Sequence, residues 1–267
     1  MKIKVSCCIC LLLSAIIFSC NTADEGTNPA PAATSTGVAL VNLHTKYPDS
    51  LALTEKLIEY YRDKGSYDSA INITDIELKK DSMNAEFWDI KATLHFENED
   101  TSGAIRALET AISIYPLPEY IISLGSLYAE TKNQKALVMA DALLNADKAK
   151  AAREAIFIKG LYYSYTGDKK KAISLFDSCI HRDYTYMFAY REKAIALYDL
   201  SKYEDALQVL AKAVTVQNNF DEGYYWMGKC YQKLNRKNEA IQSYQTALLY
   251  DKDFGEAIDS LKKLGVR

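Results

Sequence analysis

The sequence predicts an all-α fold, a stack of six helix-turn-helix repeats closed by a short C-terminal helix. Three observations support this prediction. Alanine residues recur along the chain at intervals close to 34 residues. Within each interval, apolar residues follow the i, i+3, i+4, i+7 spacing that gives a helix one apolar face. No segment between them alternates polar and apolar residues as a half-buried strand does. A period of this length is typical of stacked helical units.

The composition is that of an ordinary globular protein. The chain of 267 residues is 49% hydrophobic and 25% charged, and it contains 5 prolines. This apolar fraction is sufficient for a sizeable core. The formal net charge of -3 argues against nucleic acid as the partner, because binding to phosphates needs a concentrated basic surface.

The first residues have the pattern of a secretion signal. Two lysines, Lys2 and Lys4, precede an apolar run from Val5 to Phe18. A run of roughly 14 residues is too short to cross a bilayer comfortably, and it lies where a signal peptide is expected.

This apolar run ends in Ile17-Phe18-Ser19-Cys20, which resembles the lipobox of bacterial lipoproteins. Phe18 departs from the small residue that is usual at its position. The resemblance implies that residues 1–19 are a lipoprotein signal peptide and that Cys20 is lipidated, so that acyl chains anchor the protein to a membrane. An ordinary signal peptide cut nearby and an uncleaved anchor are the alternatives.

A polar segment follows the cysteine. It is rich in Pro, Ala, Thr, Ser and Gly as far as Gly37, and such a segment buries too little apolar surface to fold. Residues 20–50 are therefore predicted to form the lipidated cysteine, a flexible tether and an entry segment. Ala23-Asp24-Glu25 resembles the acidic signals that send some Gram-negative lipoproteins to the cell surface, and a generic solvated linker is the alternative. We expect a bacterial cell-envelope location, at the outer membrane, facing the periplasm or the surface.

One alanine recurs early in the second helix of every predicted pair. The six are Ala70, Ala104, Ala136, Ala172, Ala206 and Ala240. A second row of small residues comes eleven or twelve places earlier, at Ala92, Gly125, Gly160, Ala194 and Gly228, and Ile58 interrupts it in the first repeat. Small residues at both points allow two antiparallel helices to approach closely.

Large side chains fill the space between the small ones. Those predicted to lie in the core include Tyr61, Tyr128, Tyr163, Tyr231 and Tyr244. This pattern resembles the tetratricopeptide repeat family, and the match is best in the last repeat, at Tyr224, Met227, Gly228, Tyr231, Ala240, Tyr244 and Ala247. The resemblance covers residues 51–254 and implies a right-handed α-solenoid whose first helices line a concave groove.

The alanine register places the repeats at 51–84, 85–117, 118–152, 153–186, 187–220 and 221–254. The third repeat departs most, because it carries an extra Lys/Ala-rich stretch at Lys148–Arg153, where we expect an altered packing angle. Residues 255–267 contain Ile258, Leu261 and Leu264 at helical spacing. They are predicted to form a helix that caps the apolar end of the stack.

No pattern of catalytic or metal-binding residues is present. The three histidines, His44, His95 and His181, have no metal-ligand spacing. Cys179 and Cys230 replace small apolar residues of the repeat, which favours a packing role. There is no phosphate-binding glycine loop and no G-x-S-x-G motif. We therefore expect no enzyme activity, no cofactor and no metal.

The groove positions implied by the resemblance differ between the two halves of the chain. The N-terminal half carries acids, at Glu55, Glu59, Asp63, Glu86, Asp89, Glu97, Glu119 and Glu130. The C-terminal half carries the predicted partner-binding groove, formed by Phe157, Leu161, Tyr165, Phe188, Arg191, Ile195, Tyr198, Tyr225, Lys229 and Lys233. Exposed aromatic residues on one face are costly unless they bind something. The acids have a plain alternative as solvated helix residues, and residues 38–50 or the tether could cover the groove.

A protein-interaction scaffold is the leading functional hypothesis. Chaperone-binding members of the family hold a peptide's terminal carboxylate with Lys and Asn, whereas Glu55, Glu59 and Asp89 occupy the corresponding places here. We expect instead an extended or helical partner segment with apolar anchors. The assembly served would be one of secreted, pilus or outer-membrane components. The alternative is an accessory lipoprotein that captures peptides or glycans for an uptake system.

Overall fold

The computed structural model describes residues 34–146 and 148–266, and every regular element in them is an α-helix, as predicted. The helices are α1 (Thr34–Lys46), α2 (Leu51–Asp63), α3 (Tyr67–Lys80), α4 (Ala85–Glu97), α5 (Thr101–Ile114), α6 (Pro118–Glu130), α7 (Lys135–Ala146), α8 (Lys148–Thr166), α9 (Lys169–Arg182), α10 (Met187–Asp199), α11 (Tyr203–Val216), α12 (Asp221–Lys233), α13 (Lys237–Tyr250) and α14 (Gly255–Lys263). The predicted signal peptide, Cys20 and the first part of the tether lie outside the described residues.

Helices α2 to α13 form six successive pairs, and α14 follows the last pair. The even-numbered helices are the first helices of their pairs, and the odd-numbered ones are the second helices. The fold prediction of helical repeats with a terminal helix is thus confirmed. In α14, Leu261 is buried and Leu264 packs against the same core, so this helix covers the end of the last repeat.

The described residues divide into two compact units at Ser123 and Leu124, a boundary inside α6. In unit 1, Leu57, Phe87 and Leu94 lie at the centre of one apolar cluster. In unit 2, Leu210 and Tyr244 belong to the cluster that reaches α14.

The two rows of small residues are the contact points inside the helix pairs. All six alanines of the main row have 0% exposure. A Cβ placed on Gly160 would stand 2.6 Å from the ring of Phe176, and one on Gly228 would stand 2.6 Å from the ring of Tyr244. Aromatic rings from the second helices therefore lie directly against the glycines of the first helices.

The turn inside a helix pair uses one residue with a positive φ at an equivalent position. Gly65 and Gly167 occupy it in two repeats, while Glu99, Lys132, Ser201 and Asn235 occupy it in the others. In five of these six turns the amide of the next residue closes the turn, as Asp100 does by donating to the His95 carbonyl at 2.8 Å. This is the left-handed helix ending that releases the chain for the return helix.

Two segments contain helix that the sequence did not predict. Within residues 20–50, Thr34–Lys46 form α1, in which Gly37 lies against the Tyr60 side chain and Leu40 packs on the first core cluster. The Lys/Ala-rich stretch Lys148–Arg153 lengthens α8 to 19 residues, whereas the other first helices have 13. No helix in the described ranges is both long enough and apolar enough to cross a membrane.

Candidate interaction surface

The first helices of neighbouring repeats contact each other in unit 2, where α10 touches both α8 and α12. Residues 34 apart therefore form rows across these helices. One such row is Leu161, Ile195 and Lys229, and Lys263 on the final helix α14 continues it at the same spacing. We use the name first-helix face for the exposed and half-buried side chains of α8, α10, α12 and α14 in and next to this row. They include Tyr165, Phe188, Ile195, Tyr198, Lys229, Lys233 and Lys263.

Four of the ten predicted groove residues are not on an open surface. Phe157 is 1% exposed, Leu161 5%, Arg191 4% and Tyr225 9%. The expectation that they present an exposed face is wrong, because Phe157, Arg191 and Tyr225 contact side chains at the start of the next even-numbered helix. Phe157 packs against Tyr186 with ring centroids 5.2 Å apart, and Tyr225 packs against Phe254 at 5.0 Å.

Arg191 forms a buried ionic contact between repeats. Its guanidinium donates to both carboxylate oxygens of Glu222 on α12 at 2.7 Å and to Glu192 at 3.0 Å. Burial raises the pKa of Glu222, and Arg191 acts in the opposite direction. A buried charge of this kind holds two helices together and is unavailable to a partner.

The remaining six predicted residues are accessible. Lys233 is exposed, and Tyr165, Phe188, Ile195, Tyr198 and Lys229 are half-buried. Tyr198 packs edge-on against Trp226 and Tyr203, and burial raises its pKa to about 12. Its ring is thus held in one orientation, as is useful for an aromatic contact with a partner.

The C-terminal end of the face is basic. The ammonium nitrogens of Lys229 and Lys233 each lie 6.0 Å from the Tyr198 ring centroid. Burial, and then Lys233 and Lys263, lower the pKa of Lys229. Lys263 is absent from the sequence-based site, although its position 34 residues after Lys229 was a usable signal.

The acidic positions of unit 1 are partly accounted for by the structure. Glu55, Glu59, Asp63 and Glu86 are exposed. Glu97 accepts two hydrogen bonds from the Arg62 guanidinium, at 2.5 and 2.7 Å, and so serves contact between repeats. Burial, followed by Glu119 and Glu86, raises the pKa of Asp89 to about 6.

The core tyrosines follow the prediction unevenly. Tyr128 and Tyr244 are buried, whereas Tyr61, Tyr163 and Tyr231 are half-buried. Two of the half-buried rings lie under cations from the following helix or turn. Lys171 stands 3.7 Å from the Tyr163 centroid and Arg236 stands 4.7 Å from the Tyr231 centroid.

A recurring ion pair, which was not predicted from the sequence, links successive repeats. Lys91 pairs with Asp75 at 2.5 Å, Lys159 with Asp141 at 2.8 Å and Lys193 with Asp177 at 2.6 Å. Each lysine comes one place before the small residue of a first helix. Each aspartate comes five places after the alanine of the preceding second helix. The fixed spacing of these lysines and aspartates within the repeat was therefore sufficient to predict the ion pairs from the sequence.

The described residues contain no cluster of three or more His, Cys, Asp or Glu that could hold a metal ion. Cys179 and Cys230 are free thiols buried in the helix packing, and burial raises the pKa of each to about 12. Both are protonated near neutral pH, which makes them poor nucleophiles.

The fold and the row of accessible aromatic and basic side chains define a helical-repeat protein with a side-chain surface suited to binding a polypeptide. Residues 197–264 match the tetratricopeptide repeat family. Together with the structural likeness described next, this match gives the chain a tetratricopeptide-repeat fold, which supports a role in protein–protein interaction.

Among solved structures, a tetratricopeptide repeat protein from Parabacteroides merdae ATCC 43184 is similar with a TM-score of 0.72. It is 19% identical, and the match covers 87% of this chain and 92% of that one. PilW, described as a widely conserved type IV pilus biogenesis factor, is similar with a TM-score of 0.58 at 17% identity, covering 79% of this chain and 97% of that one.

A curated relative, Superkiller complex protein 3 of Homo sapiens, is 29% identical over 207 residues. The match covers 73% of this chain but 13% of the relative. The chain thus spans a small part of the length of that protein.

Proposed function

We propose that this chain is a scaffold or adaptor lipoprotein of the bacterial cell envelope that binds a protein partner on its first-helix face. The main observation behind the proposal is that Phe188, Ile195 and Tyr198 are accessible on α10. Lys229 and Lys233 of α12 lie next to Tyr198. Half-buried aromatic side chains with fixed orientation supply apolar contact area at little entropic cost, and they are frequent at protein interfaces.

The location rests on the sequence before the described residues. The lipobox-like Ile17-Phe18-Ser19-Cys20 supports an acyl anchor at Cys20, and the polar segment after it supports a tether to the membrane. PilW shares the fold and is described as a pilus biogenesis factor. Pilus assembly is accordingly one of the processes we propose, beside the assembly of secreted or outer-membrane components.

Chemical crosslinking in the intact native cell tests the binding role. We expect a defined set of proteins to crosslink to the wild-type chain and to be lost from a Phe188→Ala/Ile195→Ala variant. The matched control is Val138→Ala/Leu249→Ala, because these exposed apolar residues lie on second helices, 58% and 71% exposed. Thermal unfolding checks that both variants fold.

Retention of the same proteins by the Phe188→Ala/Ile195→Ala variant would contradict the proposal. If soluble glycans or free peptides raise the melting temperature while no protein crosslinks, the chain is instead a ligand-capture lipoprotein. Incorporation of labelled fatty acid that survives Cys20→Ala would overturn the anchor.

A further inference from the structure

Three lysines gather at the C-terminal end of the first-helix face. Lys229 and Lys233 lie one turn apart on α12, and Lys263 occupies the same register on α14 as Lys229 does on α12. Over the described part of the chain, none of the three has a carboxylate within ion-pair distance. The carboxylate of Asp259, on the same helix as Lys263, is paired with Lys262 at 3.5 Å.

Elsewhere in the molecule, half-buried lysines on the first helices are paired. Lys91, Lys159 and Lys193 each contact an aspartate of the preceding repeat. Lys229 is also half-buried, yet its near charged neighbours are Lys233 and Lys263, which repel it. Burial and the positive charges of Lys233 and Lys263 both destabilise the charged ammonium group of Lys229. A carboxylate placed beside these lysines therefore has a favourable Coulomb energy.

We propose that Lys229, Lys233 and Lys263 bind acidic side chains of a partner polypeptide that lies across the first-helix face. This inference rests on the proposed function and specifies the chemistry of the partner. Tyr198, over which Lys229 and Lys233 stand, gives the bound segment an aromatic contact next to its charges.

The order of side chains in the row sets the spacing of the partner residues. Ile195, Lys229 and Lys263 follow one another at intervals of 34 residues on α10, α12 and α14, and packed helices have axes about 10 Å apart. A peptide in the extended polyproline II conformation advances about 3.1 Å per residue and has three residues per turn, so every third side chain points to the same side. Successive positions in the row therefore meet every third residue, so the segment carries an apolar residue followed by two acids at this interval.

A protein segment fits this site better than the anionic surface of a membrane. A flat headgroup layer reaches protruding charges, whereas Lys229 is half-buried and the next side chain in its row is the apolar Ile195. The site also differs from a clamp for a peptide terminus, because the lysines lie in the last repeat and the final helix. The proposed ligand groups are acidic side chains inside the bound segment rather than its terminal carboxylate.

Fluorescence anisotropy with short synthetic peptides tests the inference. The probe is a labelled peptide with both ends blocked and the order Leu-Ser-Ser-Glu-Ser-Ser-Glu, together with its reversed sequence. The comparison peptide replaces both Glu by Gln. We expect saturable binding of at least one acidic probe to the purified chain lacking residues 1–19, weakened by added salt, and no measurable binding of the Gln peptide.

The variant that removes the site is Lys229→Gln/Lys233→Gln/Lys263→Gln, which removes the positive charges and keeps part of each aliphatic stem. We expect its affinity for the acidic probe to fall by about tenfold or more. Lys229→Arg/Lys233→Arg/Lys263→Arg retains the charges and should retain binding. The matched control, Lys170→Gln/Lys212→Gln/Lys252→Gln, changes exposed lysines elsewhere in unit 2.

Equal affinity of the wild-type and triple-Gln chains for the acidic probe would overturn the inference. So would lysine-dependent binding to phosphatidylglycerol vesicles with no peptide binding, because the site would then recognise lipid. Crosslinking lost in Phe188→Ala/Ile195→Ala but unchanged in the triple-Gln variant would leave the scaffold function intact and refute only the acidic specificity.

Discussion

At the contact between α12 and α13, the ring of Tyr244 occupies the space that a side chain on residue 228 would need. Tyr244 is fully buried and cannot move aside without disturbing the core around it. Its hydroxyl donates to the Gln232 side chain at 2.5 Å, which fixes the ring further. The glycine is therefore required by packing, since its φ is that of ordinary helix.

The first residue-scale prediction concerns Gly228. Gly228→Ala should lower the free energy of unfolding by about 1–3 kcal/mol, because an overpacked core is strained. Gly255→Ala is the control, since nothing lies within 4 Å of its would-be Cβ and alanine favours a helix. Denaturant unfolding measures both, and an unchanged stability for Gly228→Ala would contradict the packing described.

The second residue-scale prediction concerns Asp89 and pH. Its pKa of about 6 exceeds the ordinary 3.8, so the folded chain retains a proton that the unfolded chain releases. The free energy of unfolding should therefore fall as pH rises from about 4 to about 6. Asp89→Asn should remove this fall and stabilise the protein at pH 7 by on the order of 1–2 kcal/mol.

Urea unfolding across this pH range measures the effect of Asp89→Asn. The exposed Asp63, on α2, supplies the control variant Asp63→Asn. The interpretation fails if Asp89→Asn and wild type have the same stability at pH 7.

At the scale of helices, the repeats are held together by ionic as well as apolar contacts. Arg191 joins α10 to α12 through Glu222, and the Lys–Asp pairs join α4, α8 and α10 to the second helix before each of them. In a repeat stack, stability is approximately the sum of repeat and neighbour terms, so each such contact affects cooperativity between repeats.

Arg191→Met provides the element-scale prediction. It leaves the carboxylates of Glu192 and Glu222 without their guanidinium, and we expect a loss of about 3–5 kcal/mol of stability. Arg236→Met, which breaks an exposed pair with Glu239, should cost less than about 1 kcal/mol. Equal effects of the two substitutions on chemical unfolding would show that the buried contact has been misjudged.

The element pattern was predictable from the sequence where it depends on small residues. The alanine row marks the second helices because no larger residue fits at 0% exposure. Helix α1 was not predicted from the sequence. Its first residues have the composition of a linker, and the contact of Gly37 with Tyr60 joins residues that are distant in the chain. The extra stretch Lys148–Arg153 is visible in the sequence, but its continuation of α8 as one helix of 19 residues is not, because an insertion of this length can also form a loop.

At the scale of the whole molecule, the chemistry of the surface differs between the two units. Unit 1 exposes acids on its first helices, and unit 2 combines half-buried aromatic residues with an unpaired lysine cluster at the end of the first-helix face. Sequence periodicity identified which positions belong to the first helices. It did not separate Tyr198 from the buried Tyr225, because that distinction depends on side chains such as Phe254, which lies at the start of α14.

The central claim is that a protein partner lies on the first-helix face of unit 2. Site-specific photocrosslinking in the native cell tests it most directly, with a photoreactive residue placed at Ile195 or, as the control, at the exposed Leu249 on a second helix. We expect position 195 to crosslink to a discrete protein that position 249 does not crosslink. The same products from both positions, or none from position 195, would contradict it.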